Sequence, residues 1–219
     1  MKESSHLDTV ILISGEGTNL QALVDAEIEG ATNTHIRAVF SDQADARGLV
    51  RARDAGIVPH HLGRAGFADH AAYDVALARE IDRYAPGLLV LAGFMRILGP
   101  EFVDHFRGRM LNIHPSLLPK FRGLDTHRRV LEAGDAYHGA TVHFVTEKLD
   151  SGPSVIQYRI PVRPGDGEAS LSARVHQGEY IILPRAVRWF ADGRLRLDDE
   201  AVMLDGRRLQ GPVIVEGEL

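Results

Sequence analysis

The stretch Thr9-Val-Ile-Leu-Ile-Ser-Gly-Glu-Gly-Thr-Asn19 decides the fold class. Its first five residues are β-branched or leucine, as in a strand covered on both faces. Two glycines then make a turn, after which Leu20, Leu23, Val24 and Ile28 recur at i, i+3, i+4 and i+8, one face of a helix. Thr18 or Asn19 is the expected cap of that helix. Strand, glycine turn and helix in this order open a βαβ unit, which requires a parallel sheet with helices on its faces.

Working outward, the same alternation continues. His35 to Ser41 reads as a second strand, Ala44 to Ala55 as a helix closed by Gly56, Val58 to Leu62 as a brief third strand and about Ala68 to Tyr84 as a longer helix. Leu88-Leu-Val-Leu-Ala92 is a continuous apolar run that belongs at the centre of the sheet. Gly93 to Leu98 reads as a loop leading to a short helix from Pro100, and Arg109 to Ile113 as the next strand, ending at His114-Pro115. From Pro115 to His127 two prolines and one glycine indicate a loop whose length suggests a functional role. Thr141 to Val145 and Val155 to Val162 form a strand pair joined by a loop carrying Asp150-Ser-Gly152. A helix from about Glu168 to Phe190, bent near Gly178 and Pro184, precedes a hairpin pattern. The expected class is α/β: a Rossmann-like open, mostly parallel twisted sheet flanked by helices, with a C-terminal mixed-strand and helix extension.

A length of 219 residues corresponds to about 1.5 average domains, so one large domain, or one with a tail, is expected. With no cysteine there is no disulfide framework, no thiolate nucleophile and no thiolate metal site. The formal charge of −5, with arginines scattered along the chain, lacks the basic footprint of a nucleic-acid binder. Met1 to Asp8 is polar and the run Val10 to Ile13 is too short for a signal core or a membrane span. A cytoplasmic protein with no nucleic-acid and no membrane partner is expected.

Gly15-Glu-Gly17 lies at a strand-to-helix turn, where free N–H groups and the helix dipole suit an anion. A dinucleotide fingerprint would need glycine where Leu20 stands, and a P-loop would need a Gly-Lys-Ser/Thr ending. A phosphate monoester cradle helped by Thr18 and Asn19, or simply a tight turn that needs glycine, both fit. Asn112-Ile-His114 places an amide and an imidazole on one face at the carboxyl end of a strand, where open α/β sheets bind ligands. Such a pair suits a reaction that develops negative charge on a carbonyl oxygen, although a structural histidine also fits. Asp150 reads either as a turn aspartate or as a partner that favours the charged form of His114. Arg96 meets a polar ligand or points to solvent. No His-x-x-x-His helix and no Gly-x-Ser-x-Gly elbow is present, so neither a metal centre nor a hydrolase triad is expected.

Taken together, Ser14-Gly-Glu-Gly-Thr-Asn-Leu-Gln-Ala22, Leu91-Ala-Gly-Phe-Met-Arg-Ile-Leu98, Asn112-Ile-His-Pro-Ser-Leu-Leu-Pro119 and Gly139-Ala-Thr-Val-His-Phe-Val-Thr-Glu-Lys-Leu-Asp-Ser-Gly152 resemble the phosphoribosylglycinamide formyltransferases. The resemblance runs from about Thr9 to Leu204. It implies transfer of a formyl group from the cosubstrate 10-formyltetrahydrofolate to the amino group of glycinamide ribonucleotide, without a metal, in de novo purine synthesis. It implies catalytic roles for Asn112, His114 and Asp150, ribonucleotide contacts at Gly17, Thr18, Asn19 and Glu179, and folate contacts at His70, Met95, Arg96, Ile97, Leu98, Asn112, Thr146 and Asp150. His70 stands where relatives often carry arginine against the folate tail, and Arg122 where proline is frequent. One domain over 1–204 is expected, with a phosphate-side half at about 9–108, a catalytic and folate half at about 109–204 and a tail at 205–219. Formyltetrahydrofolate deformylase, a hydrolase, shares the Asn-x-His and Asp elements but resembles a longer chain. Methionyl-tRNA formyltransferase adds an RNA-binding domain, and only about fifteen residues follow Leu204 here.

Overall fold

A computed structural model describes residues 6–217. Its strands are β1 (Leu7–Ile13), β2 (Thr34–Ser41), β3 (Val58–His61), β4 (Leu88–Leu91), β5 (Met110–His114), β6 (Tyr137–Phe144), β7 (Ser154–Pro161), β8 (Leu195–Asp198), β9 (Ala201–Leu204), β10 (Arg207–Arg208) and β11 (Val213–Glu216). The helices are α1 (Thr18–Ile28), α2 (Arg47–Asp54), α3 (His70–Asp82), α4 (Pro100–His105), α5 (Thr126–Ala133) and α6 (Glu168–Ala191). Eight strands form one sheet in the order β11-β7-β6-β5-β4-β1-β2-β3, and β10-β9-β8 form a small second sheet. Pairing is parallel from β3 through β2, β1 and β4 to β5. It turns antiparallel at β5–β6 and β6–β7. The α/β class and mostly parallel sheet are as expected.

Strand alternation splits the core into two faces. Ile11, Ile13, Leu88, Val90, Leu111 and Ile113 meet α1, α2, α5 and α6, whereas Val10, Leu12, Leu89, Leu91 and Met110 meet α3 and α4. Burying Leu20, Leu23 and Val24 of α1 contributes about 1.5–3 kcal/mol each to joining the first layer.

The differences from the sequence reading have local causes. The cap of α1 is Gly17, in left-handed conformation with no side-chain bond, so neither Thr18 nor Asn19 serves as cap. The loop after Pro115 gives way at Thr126 to α5, which the sequence reading missed: of its eight residues only Thr126 and Val130 are buried, too few to show a periodic stripe. The strand β6 begins at Tyr137, earlier than Thr141, because β7 pairs with it as far as Pro161. Within the segment 205–219 expected as a tail, β10 closes the small sheet and β11 pairs in parallel with β7; its last two residues lie outside the described residues.

Candidate active site

The strand order reverses at β1, which has β2 on one side and β4 on the other. Ligands of open α/β sheets bind outside the carboxyl ends of strands at such a switch point. The parallel registers Thr9 with Leu88 and Leu91 with Asn112 bring three segments to that edge: the turn 14–19, the segment 92–98 and the end of β5.

Asn112 and His114 share the β5 face that carries Met110, as their spacing implies. The buried His114 ring lies between two acceptors: its Nδ1 is 3.4 Å from Asp150 Oδ2 and its Nε2 is 3.0 Å from the Phe121 carbonyl oxygen. The carbonyl can only accept, so Nε2 donates to it, and Asp150 Oδ2 lies within ion-pair reach of Nδ1. The loop 115–125 grips both partners of this pair, because the Gly123 N–H also donates to Asp150 Oδ2 at 2.9 Å. Asp150 and Phe121 adopt left-handed backbone conformations (φ 47 and 54); the region suits a short aspartate but costs about 1–2 kcal/mol for Phe121. Strain of this kind concentrates at functional sites.

Register sets the direction of His143: it pairs across the ladder with Asn112, and its Nε2 lies 3.0 Å from Asn112 Nδ2 and 3.8 Å from Asp150 Oδ1. Burial pushes its pKa down to about 4, against opposing contributions from the Phe144 carbonyl and Asp150. The signal that could have found it is antiparallel pairing of β5 and β6, invisible to single-segment periodicity.

At the other side of β1, Gly17 has φ 70 and a Cβ there would stand 2.6 Å from Gly48 Cα. Gly48 N–H donates to the Gly15 carbonyl at 3.0 Å and Arg51 Nε to the Glu16 carbonyl at 2.8 Å, so α2 clamps the turn. Gly17 is thus required by its left-handed backbone and by the close approach of Gly48, and a Cβ on Gly48 would collide with the Ile13 side chain. The first intrahelical bond of α1 is Gln21 N–H to Gly17 O, which leaves the N–H groups of Thr18, Asn19 and Leu20 available to an anion. Asn19 Nδ2 donates to Glu179 Oε2 at 2.7 Å, while Asn19 Oδ1 is buried without a partner. Burial raises the pKa of the Glu179 carboxyl, only partly offset by that hydrogen bond.

Beside the Asn112, His143 and Asp150 side chains a cleft is lined by Leu91, Phe94, Leu98, Asn112, Val145 and Asp150, with Arg96, Ile97 and Thr146 also in its wall. Its floor is apolar, with an amide and a carboxylate at one end. Ser14 ties it to the turn, as its hydroxyl donates to Asp42 Oδ1 at 2.7 Å and accepts from Met95 N–H at 2.8 Å. The Arg96 guanidinium is turned inward over the Tyr73 ring at 4.4 Å, and its buried Nε has no partner. Of the residues expected here, Met95 is 69 % exposed and stands outside the lining, and His70 is exposed at the first position of α3, also outside it. Among the described residues no group of three or more His, Asp or Glu is arranged to hold a metal, and no helix is long and apolar enough to cross a membrane.

Residues 7–187 match the family model described as formyl transferase. The chain is 55 % identical over 203 residues to the phosphoribosylglycinamide formyltransferase of Escherichia coli, covering 93 % of this chain and 96 % of that protein. It is 40 % identical to the trifunctional purine biosynthetic protein adenosine-3 of Homo sapiens, over 90 % of this chain but 20 % of that one. Among solved structures, the phosphoribosylglycinamide formyltransferase of Coxiella burnetii superposes with a TM-score of 0.91 at 48 % identity, covering 94 % of this chain and 99 % of the other. A formyltetrahydrofolate deformylase from Pseudomonas putida is a more distant neighbour, with a TM-score of 0.83 at 25 % identity, covering 93 % of this chain and 72 % of that one. On the strength of a match that spans the sheet, the switch-point edge and the Asn112–His114–Asp150 cluster together, the chain belongs to the formyl transferase family, among the phosphoribosylglycinamide formyltransferases.

Proposed function

We propose that this chain transfers the formyl group of 10-formyltetrahydrofolate to the amino group of glycinamide ribonucleotide, in purine synthesis in the cytoplasm. The observation that carries the reading is the triad at the end of β5: Asn112 beside His114, with His114 Nδ1 3.4 Å from Asp150 Oδ2 at the head of the apolar cleft.

In this mechanism the free N–H groups of Thr18 and Asn19 hold the phosphate, and Glu179 accepts from the ribose hydroxyls. Tethering the substrate there aims its amine at the formyl carbon, and positioning alone supplies several kcal/mol of catalysis. Amine attack makes a tetrahedral oxyanion. Asn112 donates to it through its amide, and His114 through the Nε2–H that now faces the Phe121 carbonyl. Asp150 keeps His114 charged and, through a water, helps pass the proton from the amine to the departing folate nitrogen. The cleft fits a pterin: Leu91, Phe94, Leu98 and Val145 cover its faces, and the backbone of 96–98 supplies edge partners, with Thr146 at the rim. Met95 and His70, both exposed, serve the folate beyond the ring. The proposed contacts cross the two halves of the chain: about 9–108 gives the phosphate turn and one wall of the pterin cleft, and about 109–204 gives Asn112, His114, Asp150, Val145 and Glu179.

The decisive assay follows tetrahydrofolate production with and without glycinamide ribonucleotide. Product is expected only with the amine; formate release in its absence would make the chain a deformylase. Asn112→Ala, His114→Ala and Asp150→Asn are each expected to lower kcat by on the order of 100-fold to 1000-fold with the fold intact by circular dichroism. Turnover near the parent's would refute the assigned roles.

A further inference from the structure

The amide of Asn112 can act as an oxyanion donor only if its nitrogen, and not its oxygen, faces the cleft. Nothing in its covalent structure decides between the two. The decision lies on the neighbouring strand. His143 is 2 % exposed, and its Nδ1 lies 2.9 Å from the carbonyl oxygen of Phe144. A carbonyl only accepts, so Nδ1 carries the proton. Burial keeps the ring neutral near pH 7, although Asp150 favours its protonation and His114 opposes it. A neutral ring protonated at Nδ1 has a bare lone pair at Nε2, and that nitrogen is 3.0 Å from Asn112 Nδ2.

We propose that His143 is a positioning residue: as the Nδ1–H tautomer it accepts one proton of the Asn112 amide at Nε2, fixing the amide with its NH2 group at the head of the cleft and its second N–H free for the oxyanion. The opposite flip would set Asn112 Oδ1 against the Nε2 lone pair, two acceptors at hydrogen-bond distance, and would present a carbonyl to a developing negative charge. A neutral His143 also leaves Asp150 to His114: its Nε2 lies 3.8 Å from Asp150 Oδ1, and a charged His143 would compete for that carboxylate. The Phe144 carbonyl therefore selects the tautomer, the tautomer selects the amide orientation, and the amide meets the substrate. This inference rests on the oxyanion role of Asn112 proposed above.

The first test reads the tautomer directly. In protein labelled with 15N-histidine at pH 7, the signal that disappears in His143→Gln is expected to show a protonated Nδ1 and an unprotonated Nε2. An Nε2–H tautomer or a doubly protonated ring would overturn the proposal whatever the mechanism. The second test is kinetic. His143→Leu is expected to lower kcat by up to about 100-fold, the scale of one oxyanion donor, with both KM values within about twofold, while His143→Gln, whose amide oxygen can accept at the same place, recovers at least tenfold of that loss. In an Asn112→Ala background His143→Leu is expected to change kcat no further. Independent, multiplying effects of the two substitutions would show that His143 does not act through Asn112. If Asn112→Ala alone turned over at the parent rate, the oxyanion reading would fail while the tautomer result stood by itself.

Discussion

Single residues at the candidate site carry opposed demands. Burial of Glu179 raises its pKa, so the folded state binds that proton more tightly than the unfolded chain does. Its contribution to stability is therefore largest below the ordinary carboxylate range and is lost as pH rises. Glu179→Gln keeps an oxygen to accept from Asn19 Nδ2 and removes the buried charge. Its melting temperature is expected to exceed the parent's at pH 7–8, with the gap closing near pH 4. Its KM for the ribonucleotide is expected to rise about tenfold or more, since hydrogen bonds to charged groups contribute roughly 1.5–3 kcal/mol. A melting temperature unchanged at pH 7 would show that the charge is not costly. Gly17 is the second such residue: the left-handed backbone alone makes Gly17→Ala cost about 1–2 kcal/mol, and the clash with Gly48 adds to it. Urea unfolding measures that loss, and the ribonucleotide KM is expected to rise more than the folate KM; the reverse ranking would move the phosphate site elsewhere. The shared strand face of Asn112 and His114 was legible in their spacing, whereas Asp150 read either as a turn aspartate or as a partner of His114, and the fold brings it to that ring. His143 was not, because its partner is 31 positions away and only strand register joins them.

The apolar strands of the sheet centre were legible in the sequence, whereas α5 and β11 were not. The run Leu88 to Ala92 appears as β4 at the sheet centre, since buried parallel strands have no polar side to blur them. By contrast α5 is tied to the loop before it: Arg129, midway along the helix, donates to the carbonyls of Arg122 and Leu124, and Asp125 precedes it in a left-handed conformation. The strand β11 escaped notice for a similar reason. Val213 to Glu216 is only four residues, half-buried, and is recruited by the free edge of β7, with Arg159 and Glu216 paired alongside. Removing residues 212–219 is expected to lower stability by about 2–3 kcal/mol for the valine area returned to water. It would also expose the β7 edge, and bare edges template association. Chemical denaturation and light scattering test both; a truncated chain with the same denaturation midpoint and no concentration-dependent association would show that β11 merely lies against the sheet.

At the scale of the whole molecule, histidines that burial keeps neutral, His138 and His143 in full and the half-buried His127 in part, link the fold to pH. Burial lowers His127 to about 4, His138 to about 3 and His143 to about 4. Their folded values lie below the ordinary 6.5, so the unfolded chain takes up protons first. Stability is complete above that value and is lost as pH falls toward the folded ones. His138 and His143 each contribute a slope of roughly 1.4 kcal/mol per pH unit in that window, and His127 steepens it. The denaturation midpoint is expected to fall sharply between pH 6 and pH 4, and less so in His138→Gln. An unchanged slope in that variant would place the acid sensitivity elsewhere. The hydrogen bond from Asn19 to Glu179 joins positions 160 residues apart, across the packed faces of α1 and α6. During synthesis, then, the apolar face of α1 emerges long before α6 exists to cover it: at typical rates the ribosome takes roughly 10–30 s to make the intervening chain. For that interval the nascent protein exposes Leu20, Leu23 and Val24 to whatever else is in the cell, and the ribonucleotide site proposed above cannot be complete until α6 is made.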